Sequence, residues 1–180
     1  MDRFFRKDPS LEAGRALYAA AVEQARSPAL YCVMGAPDSV EGRFEQVALH
    51  VYLVMRRLKG QDSAKRVSQC LFDAMFQNMD DSLRELGVGD LQVGKKIRKL
   101  AENFYGRIGA YENAMKDDAE KSALAKALGR NIFEDEQAAQ AEVFAAYVRK
   151  VEAALSGQPL ARIVGGIVTF PPVQANEQAI

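Results

Sequence analysis

The strongest constraint on the fold is a run with closely spaced glycines, residues 83–94, which reads LRELGVGDLQVG. Gly87 can adopt the left-handed conformation that ends a helix after Leu86, because it has no Cβ. Gly89 supplies a second flexible joint. Asp90 is typical of an N-cap, since its carboxylate accepts hydrogen bonds from free helical N–H groups and suits the positive end of the helix dipole. The run therefore predicts two helices joined by a hinge of Gly87, Gly89 and Asp90.

The helix after this hinge is predicted to have an apolar side and a basic side. Its apolar residues recur three or four positions apart, as on one face of an α-helix, at Val93, Ile97, Leu100, Phe104, Ile108, Tyr111 and Met115. Lys95, Lys96 and Lys99 cannot share that face, and Arg98 lies at its flank. We expect a helix from Asp90 to about residue 115 that packs on one side and presents positive charge on another.

The rest of the chain also indicates helices. Helical patterns cover about residues 10–26, 28–35, 38–59, 63–86 and 131–155, with a shorter one that ends at Gly129. Residues 160–170 are typical of a helical turn followed by an extended segment, and no strand alternation is strong enough to indicate a sheet. The predicted fold is all-α: a single compact domain of about six to eight helices at residues 10–172, with an N-terminal arm at 1–9 and a flexible tail at 173–180.

Local signals predict where these helices begin and where they approach one another. We expect side-chain caps from Ser10 and Ser63 and capping boxes at three positions, namely Asp38–Glu41, Asp117–Glu120 and Asn131–Glu134. Gly106 and Gly109 lie inside the helix after the hinge and predict either a close approach by another helix or a kink. The wide apolar surface of residues 38–59 predicts a central helix that several neighbours cover.

Composition excludes several classes of protein. Lys and Arg number 24, and Asp and Glu also number 24, so no overall field favours nucleic acid or an anionic membrane. Cys32 and Cys70 lie in apolar segments and are expected to be buried, reduced thiols. No apolar run reaches the ~20 residues that span a bilayer, and the N-terminus lacks the apolar core of a signal peptide. We therefore expect the protein to stay in the compartment where it is made.

The chain shows no pattern typical of a catalytic or metal site. His50 is the only histidine and lies in an apolar helix, where a packed or hydrogen-bonded side chain is expected rather than a metal ligand. The acidic pairs lie near predicted helix ends and are explained by capping. The basic set around Lys95 could be a solvated face, a contact for protein or lipid headgroups, or a phosphate contact. The residues alone predict a helical domain that works by binding and is not an enzyme.

The hinge region resembles the ubiquinol–cytochrome c chaperone family. The resemblance is specific from Leu83 to Arg107, in the hinge run, Lys95-Lys96 and the run Phe104-Tyr105-Gly106-Arg107, which Ala110-Tyr111 follows. A looser resemblance extends over about residues 44–170. It implies an all-helical assembly chaperone for ubiquinol–cytochrome c reductase, respiratory complex III, that binds newly made cytochrome b. Mitochondrial members of the family work with a small partner protein near the ribosomal exit site.

This chain resembles the short bacterial members, because it has no mitochondrial presequence. The resemblance then implies a cytoplasmic protein in peripheral contact with the inner membrane, with no cofactor and no specific nucleic acid. The ribosome and the small partner protein stay open as partners. A helical adaptor for another membrane or ribosomal partner, and a small-molecule enzyme with a pocket near His50, are the alternatives.

A client with apolar helices and charged loops needs a groove that offers apolar contact and fixed charge. We expect the helix after the hinge to form one wall of such a groove. The predicted client-binding residues are the basic side chains and two tyrosines, Arg84, Lys95, Lys96, Lys99, Tyr105, Arg107 and Tyr111. Arg84 and Arg107 could instead join helix ends, and Tyr111 could simply continue the packed row. No metal or haem ligands are expected.

Overall fold

The computed structural model describes residues 8–116 and 122–173. Its longest helices flank the predicted hinge: α4 spans Lys65–Glu85 and α5 spans Asp90–Lys116. Gly87 has φ +79°. The Gly87 N–H bonds to the Arg84 carbonyl at 2.9 Å and the Val88 N–H to the Leu83 carbonyl at 3.1 Å. This pair of bonds is the Schellman motif, which satisfies carbonyls at a helix end, and it confirms the predicted role of Gly87.

Asp90 does not cap α5 as predicted. The carbonyl of Gly89 accepts the N–H groups of Gln92 and Val93, so Gly89 precedes the first turn and Asp90 lies within it. The Asp90 carboxylate accepts a hydrogen bond from Arg84 on α4 instead. Its charge still suits the helix N-terminus, but its hydrogen bond links α4 to α5 across the hinge.

The other helices complete an all-α fold, as predicted. They are α1 (Pro9–Ala25), α2 (Pro28–Cys32), α3 (Val40–Leu58), α6 (Ala123–Leu128), α7 (Ala139–Ser156) and α8 (Leu160–Val164), with a 3₁₀ turn at Asp62–Ala64 and a π-helical turn at Gly129–Phe133. After α8 the chain is extended through residue 173. Within the described ranges, no segment forms a β-strand. The predicted arm and tail lie largely outside those ranges.

Helix α3 is the centre of the molecule. It packs against α1, α4, α7, α8 and the π-helical turn, and Leu49, Val51, Tyr52, Leu53 and Val54 are all nearly inaccessible to solvent. The prediction of a central helix with several neighbours is therefore confirmed. One continuous apolar core joins α3 to the other helices and includes Phe170 from the extended C-terminal segment. The chain forms a single compact domain.

Several predicted helix starts are displaced. Ser39, not Asp38, caps α3 by accepting the Gly42 N–H at 3.0 Å, and Asp8 rather than Ser10 caps α1. Ser63 lies in the 3₁₀ turn, and no side chain caps α4. The Asn131–Glu134 box does not form either, because residues 129–133 are π-helical and Glu134 has φ +56°. The Asp117–Glu120 box lies outside the described residues.

Close backbone approaches occur at other glycines than predicted. A Cβ at Gly106 or Gly109 would meet no atom within 4 Å, so neither glycine lies under a neighbouring helix. A Cβ at Gly14 would instead lie 2.5 Å from the Cβ of Cys70, where α1 crosses α4. Cys70 is buried as predicted, whereas Cys32 is exposed at the end of α2.

Candidate binding groove

An open groove of about 880 Å³ lies between α3, α4, α5 and the π-helical turn. The start of α3 and the end of α4 form one part of its lining, and the middle of α5 faces residues 130–134. Its apolar side chains come from all four segments, namely Val40, Phe44, Met79, Leu83, Leu86, Leu100, Ile132 and Phe133. The hinge shapes this groove, since it sets how α5 leaves the end of α4.

Two apolar side chains at the groove are strongly exposed. Val40 on α3 is 80% exposed and Leu86 after α4 is 79% exposed. The sequence pattern assigned Leu86 to the packed face of its helix. The structure places Leu86 beyond the last residue of α4, Glu85, so it leaves the apolar stripe and borders the groove. Large exposed apolar side chains that border a concavity are typical of a binding surface.

Positive charge enters the groove from α5. Lys96, Lys99 and Arg107 line it, as does Arg130 of the π-helical turn. Lys99 lies 3.8 Å from Glu102 in an exposed contact, and Arg130 pairs with Glu136 at 2.9 Å. Within the described residues no ion-pair partner is seen for Lys96. Lys96 and Lys99 therefore leave much of their charge available to a bound molecule.

Arg107 is held in place by an ion pair with Glu45 of α3. The Arg107 Nε and Nη2 atoms donate to the two carboxylate oxygens of Glu45. The side chains of Glu45 and Arg107 are only 7% and 21% exposed. Burial raises the pKa of Glu45, and the bonds from Arg107 oppose that shift. The sequence pattern had marked Arg107 for client contact, and the structure shows that half of its role is to join α5 to α3.

The remaining predicted residues are divided by the structure. Arg84 bonds to Asp80 and Asp90 at the hinge, and Lys95 is exposed outside the groove lining. Tyr105 is 59% exposed and lies against Phe72, with ring centroids 5.6 Å apart. Tyr111 is only 2% exposed, so its ring does not lie on the surface where client contact was predicted. Of the seven predicted residues, Lys96, Lys99 and Arg107 line the groove.

The sequence did not indicate the half of the groove that α5 does not form. Phe44 belongs to the apolar stripe of α3 and reads as core. Asn131 and Phe133 lie in a π-helical turn, which no local pattern predicts. Val40 was the one available signal, because it precedes the apolar stripe of α3 and had no predicted partner.

The pocket predicted for an enzyme is not present at His50. His50 is completely buried, with Nδ1 2.7 Å from the Gln46 carbonyl and Nε2 2.7 Å from the Tyr147 hydroxyl. Burial lowers the pKa of His50 to about 4. The prediction that His50 is a packed, hydrogen-bonded side chain is confirmed.

A second buried polar cluster joins α3, α5 and α7 away from the groove. Glu112 accepts hydrogen bonds from Tyr52 at 3.0 Å, Arg56 at 2.6 Å and Lys59 at 2.7 Å. Arg56 also donates to Glu152 at 2.9 Å. Partial burial raises the pKa of Glu112, but the bonds from Lys59, Arg56 and Tyr52 outweigh it and lower that pKa to about 2. The sequence did not indicate this cluster, whose role is to fix α5 against α3.

Comparison with known proteins identifies relatives over most of the chain. The family model described as "Ubiquinol-cytochrome C chaperone" matches residues 33–170. A crystal structure of the Cbp3 homolog from Brucella abortus superposes with a TM-score of 0.81 and 35% sequence identity, covering 93% of this chain and 94% of that one. Both the sequence and the fold are therefore shared with that protein.

Two vertebrate proteins are also similar along the sequence. Ubiquinol-cytochrome c reductase complex assembly factor 1 of Mus musculus is 26% identical over 170 residues, which is 91% of this chain and 57% of the mouse protein. The Xenopus laevis protein of the same name is 25% identical, over 91% of this chain and 84% of its own length. The chain thus spans little more than half the length of the mouse relative.

Proposed function

The chain belongs to the ubiquinol–cytochrome c chaperone family, and from this premise we propose that it is an assembly chaperone for ubiquinol–cytochrome c reductase (respiratory complex III) that binds newly made cytochrome b. The observation that carries the proposal is the groove, which combines an apolar lining with cations from α5. The names of the mouse and frog relatives, which describe assembly factors of the same complex, support it.

The apolar lining suits a membrane-protein client. Segments that will cross a bilayer are rich in apolar side chains and need cover while they are outside it. Val40 and Leu86 are exposed at the groove, with Phe44, Leu83 and Leu100 half-buried in its lining. Association there would bury apolar surface on both partners at about 25 cal/mol per Å².

The cations suit the loops of such a client. Lys96 and Lys99 stand on one wall and could meet acidic groups next to an apolar segment, which gives orientation as well as affinity. The hinge supports this wall, because Arg84 bonds to Asp80 within α4 and to Asp90 at the start of α5. Arg84 in this proposal positions α5 and does not itself touch the client.

We propose further that the protein acts at the cytoplasmic face of the inner membrane as a peripheral protein. Within residues 8–116 and 122–173, no helix has the length and apolar character needed to cross a bilayer. A client delivered to or from a membrane would bring the chaperone to that surface.

The test is recovery of the client from the native host. The tagged protein is crosslinked gently at low salt, membranes are solubilised, and the recovered proteins are identified by mass spectrometry. We expect cytochrome b without the mature partners of its complex. The variant K96E/K99E should lower that recovery at least fivefold while leaving the melting temperature unchanged, since both side chains are exposed.

The matched control is K95E/R98E, on the same helix. Lys95 and Arg98 are exposed, lie outside the groove lining, and give the same change in charge. We expect this control to recover cytochrome b as the wild type does. Equal loss in both variants would mean that net charge rather than the groove matters. Recovery of unrelated proteins alone, with normal complex III in a deletion strain, would overturn the proposed function in favour of an adaptor for another partner.

A further inference from the structure

The deep end of the groove contains polar groups that the apolar lining does not explain. Glu45, Arg107 and Asn131 all line the groove. Tyr111 lies behind them on α5, 2% exposed, with its ring centroid 5.6 Å from that of Tyr52. Three separate elements, α3, α5 and the π-helical turn, therefore bring polar side chains to one place.

The Tyr111 hydroxyl belongs to this group. Burial raises its pKa most, the Glu45 carboxylate raises it further, and Asn131 and Arg107 oppose the shift. Groups influence a pKa in this way only when they lie close to it. The hydroxyl thus shares the neighbourhood of the Glu45–Arg107 pair and of the Asn131 amide.

Two hydrogen-bond donors in this group have no partner. The Tyr111 hydroxyl and the Asn131 Nδ2 are both buried, and no described residue makes a hydrogen bond to either. Buried polar atoms without partners are rare in native proteins, because each loses its hydrogen bonds to water and gains none in return. Two such donors at the base of a groove indicate that an acceptor binds there.

The surroundings restrict what this acceptor is. Arg107 already gives two N–H groups to Glu45, so the ion pair is close to neutral as a unit. A carboxylate or phosphate would meet the Glu45 carboxylate in a nearly dry site and would be repelled. A neutral carbonyl oxygen accepts the same hydrogen bonds without that cost. The polar base therefore fits carbonyl oxygens.

We propose, on the basis of the proposed function, that Tyr111 and Asn131 form a subsite for the free backbone carbonyls at the C-terminal end of an apolar client helix. The last four carbonyls of an α-helix have no partner within the helix. The apolar lining, with Phe44 and Leu100, takes the side chains of the last turns. The negative end of the helix dipole then faces Lys96 and Lys99.

A labelled helical peptide tests this subsite. The probe is an acetylated, amidated peptide of about 20 residues, with a soluble N-terminal half, an apolar C-terminal half and a fluorophore at its N-terminus. Binding to the full chain is measured by fluorescence anisotropy. We expect Y111F and N131A each to weaken binding about tenfold, because each removes one donor. The Y111F protein should be at least as stable as the wild type, since the lost hydroxyl had no partner.

Two controls separate the subsite from general damage. Y18F removes a hydroxyl that bonds to Asn78 outside the groove and should bind the peptide as the wild type does. A second peptide continues the same helix by two turns of alanine and glutamine. Its added N–H groups occupy the carbonyls in question, so we expect weaker binding that no longer depends on Tyr111.

The outcomes distinguish this inference from the proposed function. Equal binding by wild type, Y111F and N131A would mean that an ordered water satisfies the donors, which overturns the subsite. Failure of the wild type to bind the peptide, with cytochrome b still recovered from the host, would also overturn the subsite but leave the proposed function. Tyr111-dependent peptide binding without recovery of cytochrome b would support the subsite and overturn the client.

Discussion

His50 connects three segments through one ordered series of hydrogen bonds. Its Nδ1 faces the Gln46 carbonyl, which can only accept, so Nδ1 carries the proton and Nε2 accepts from the Tyr147 hydroxyl. The Tyr147 oxygen in turn accepts from Gln24, which also donates to the Pro171 carbonyl. The neutral imidazole therefore joins α3 to α7, and through Gln24 to α1 and the C-terminal segment.

Neutral His50 makes stability depend on pH. Its pKa is about 4 in the folded chain against about 6.5 when unfolded. The unfolded chain therefore binds a proton first as pH falls, so the contribution is complete above pH 6.5 and is lost between pH 6.5 and 4. We expect the free energy of unfolding to fall by about 2 kcal/mol from pH 7.5 to 5, measured by urea denaturation.

The variant H50Q is the control for this pH dependence. It cannot titrate, so its unfolding free energy should be lower at pH 7.5 but nearly constant down to pH 5. Glu112, whose pKa is lowered to about 2, adds its own loss mainly below pH 4.5. A wild-type stability that stays flat between pH 7.5 and 5 would contradict the neutral, buried assignment of His50.

The sequence predicts the state of such residues better than their partners. An apolar helix around His50 is enough to predict burial, because the periodicity decides which side chains face the core. Its partner Tyr147 lies 97 positions away along the chain, a distance over which no local pattern acts. The same limit applies to Glu45 with Arg107 and to Glu112 with Arg56.

At the scale of elements, the packing of α1 on α4 depends on one glycine. A Cβ at Gly14 would lie 2.5 Å from the Cβ of Cys70 and 2.7 Å from the backbone nitrogen of Leu71. The backbone of α4 would have to move to make room. We expect G14A to lower the free energy of unfolding by about 1–3 kcal/mol, as overpacking does in close-packed interiors, measured by urea denaturation.

The matched control is G109A in α5. A Cβ there would meet nothing within 4 Å, so only the intrinsic helix propensity changes. Alanine is favoured over glycine in a helix interior by about 1 kcal/mol, and G109A should therefore be more stable than the wild type. Destabilisation by G109A to the extent of G14A would mean that α5 has a neighbour at that face which the structure does not place there.

Helices were predictable here, and their ends less so. Apolar periodicity extends over three or more turns, so the existence of α3, α4, α5 and α7 follows from many residues at once. A cap depends on a single side chain, and adjacent candidates compete: Asp38 and Ser39 both suit α3, and Asp38 instead pairs with Arg43 at 2.6 Å. The π-helical turn at Gly129–Phe133 has no local signal, because its backbone is fixed by tertiary contacts.

For the whole molecule, the groove was only half predictable. The basic side of α5 and the hinge were evident in one stretch of sequence, because they are local. The opposing wall comes from α3 and the π-helical turn, which are distant in the chain and brought together by folding. The family resemblance adds what the molecule is for, but it does not indicate which of the seven predicted residues face the groove.

The last prediction concerns the exposed apolar residues of this groove. Val40 and Leu86 are about four-fifths exposed, so they contribute little to the core. The variant V40S/L86S should therefore change the free energy of unfolding by less than about 0.5 kcal/mol. It should nevertheless lower the recovery of cytochrome b at least fivefold, because the client loses apolar contact at both sides of the groove.

The control variant V33S/I167S separates this effect from a general loss of surface hydrophobicity. Val33 and Ile167 are 55% and 53% exposed and lie outside the groove lining. Normal recovery with this control and poor recovery with V40S/L86S would place the client in the groove. Because K96E/K99E removes charge and V40S/L86S removes apolar surface, a client that needs both should be lost with either variant. A client lost only with the charge variant would be held by electrostatic attraction alone, and the groove would then not serve to shield apolar segments.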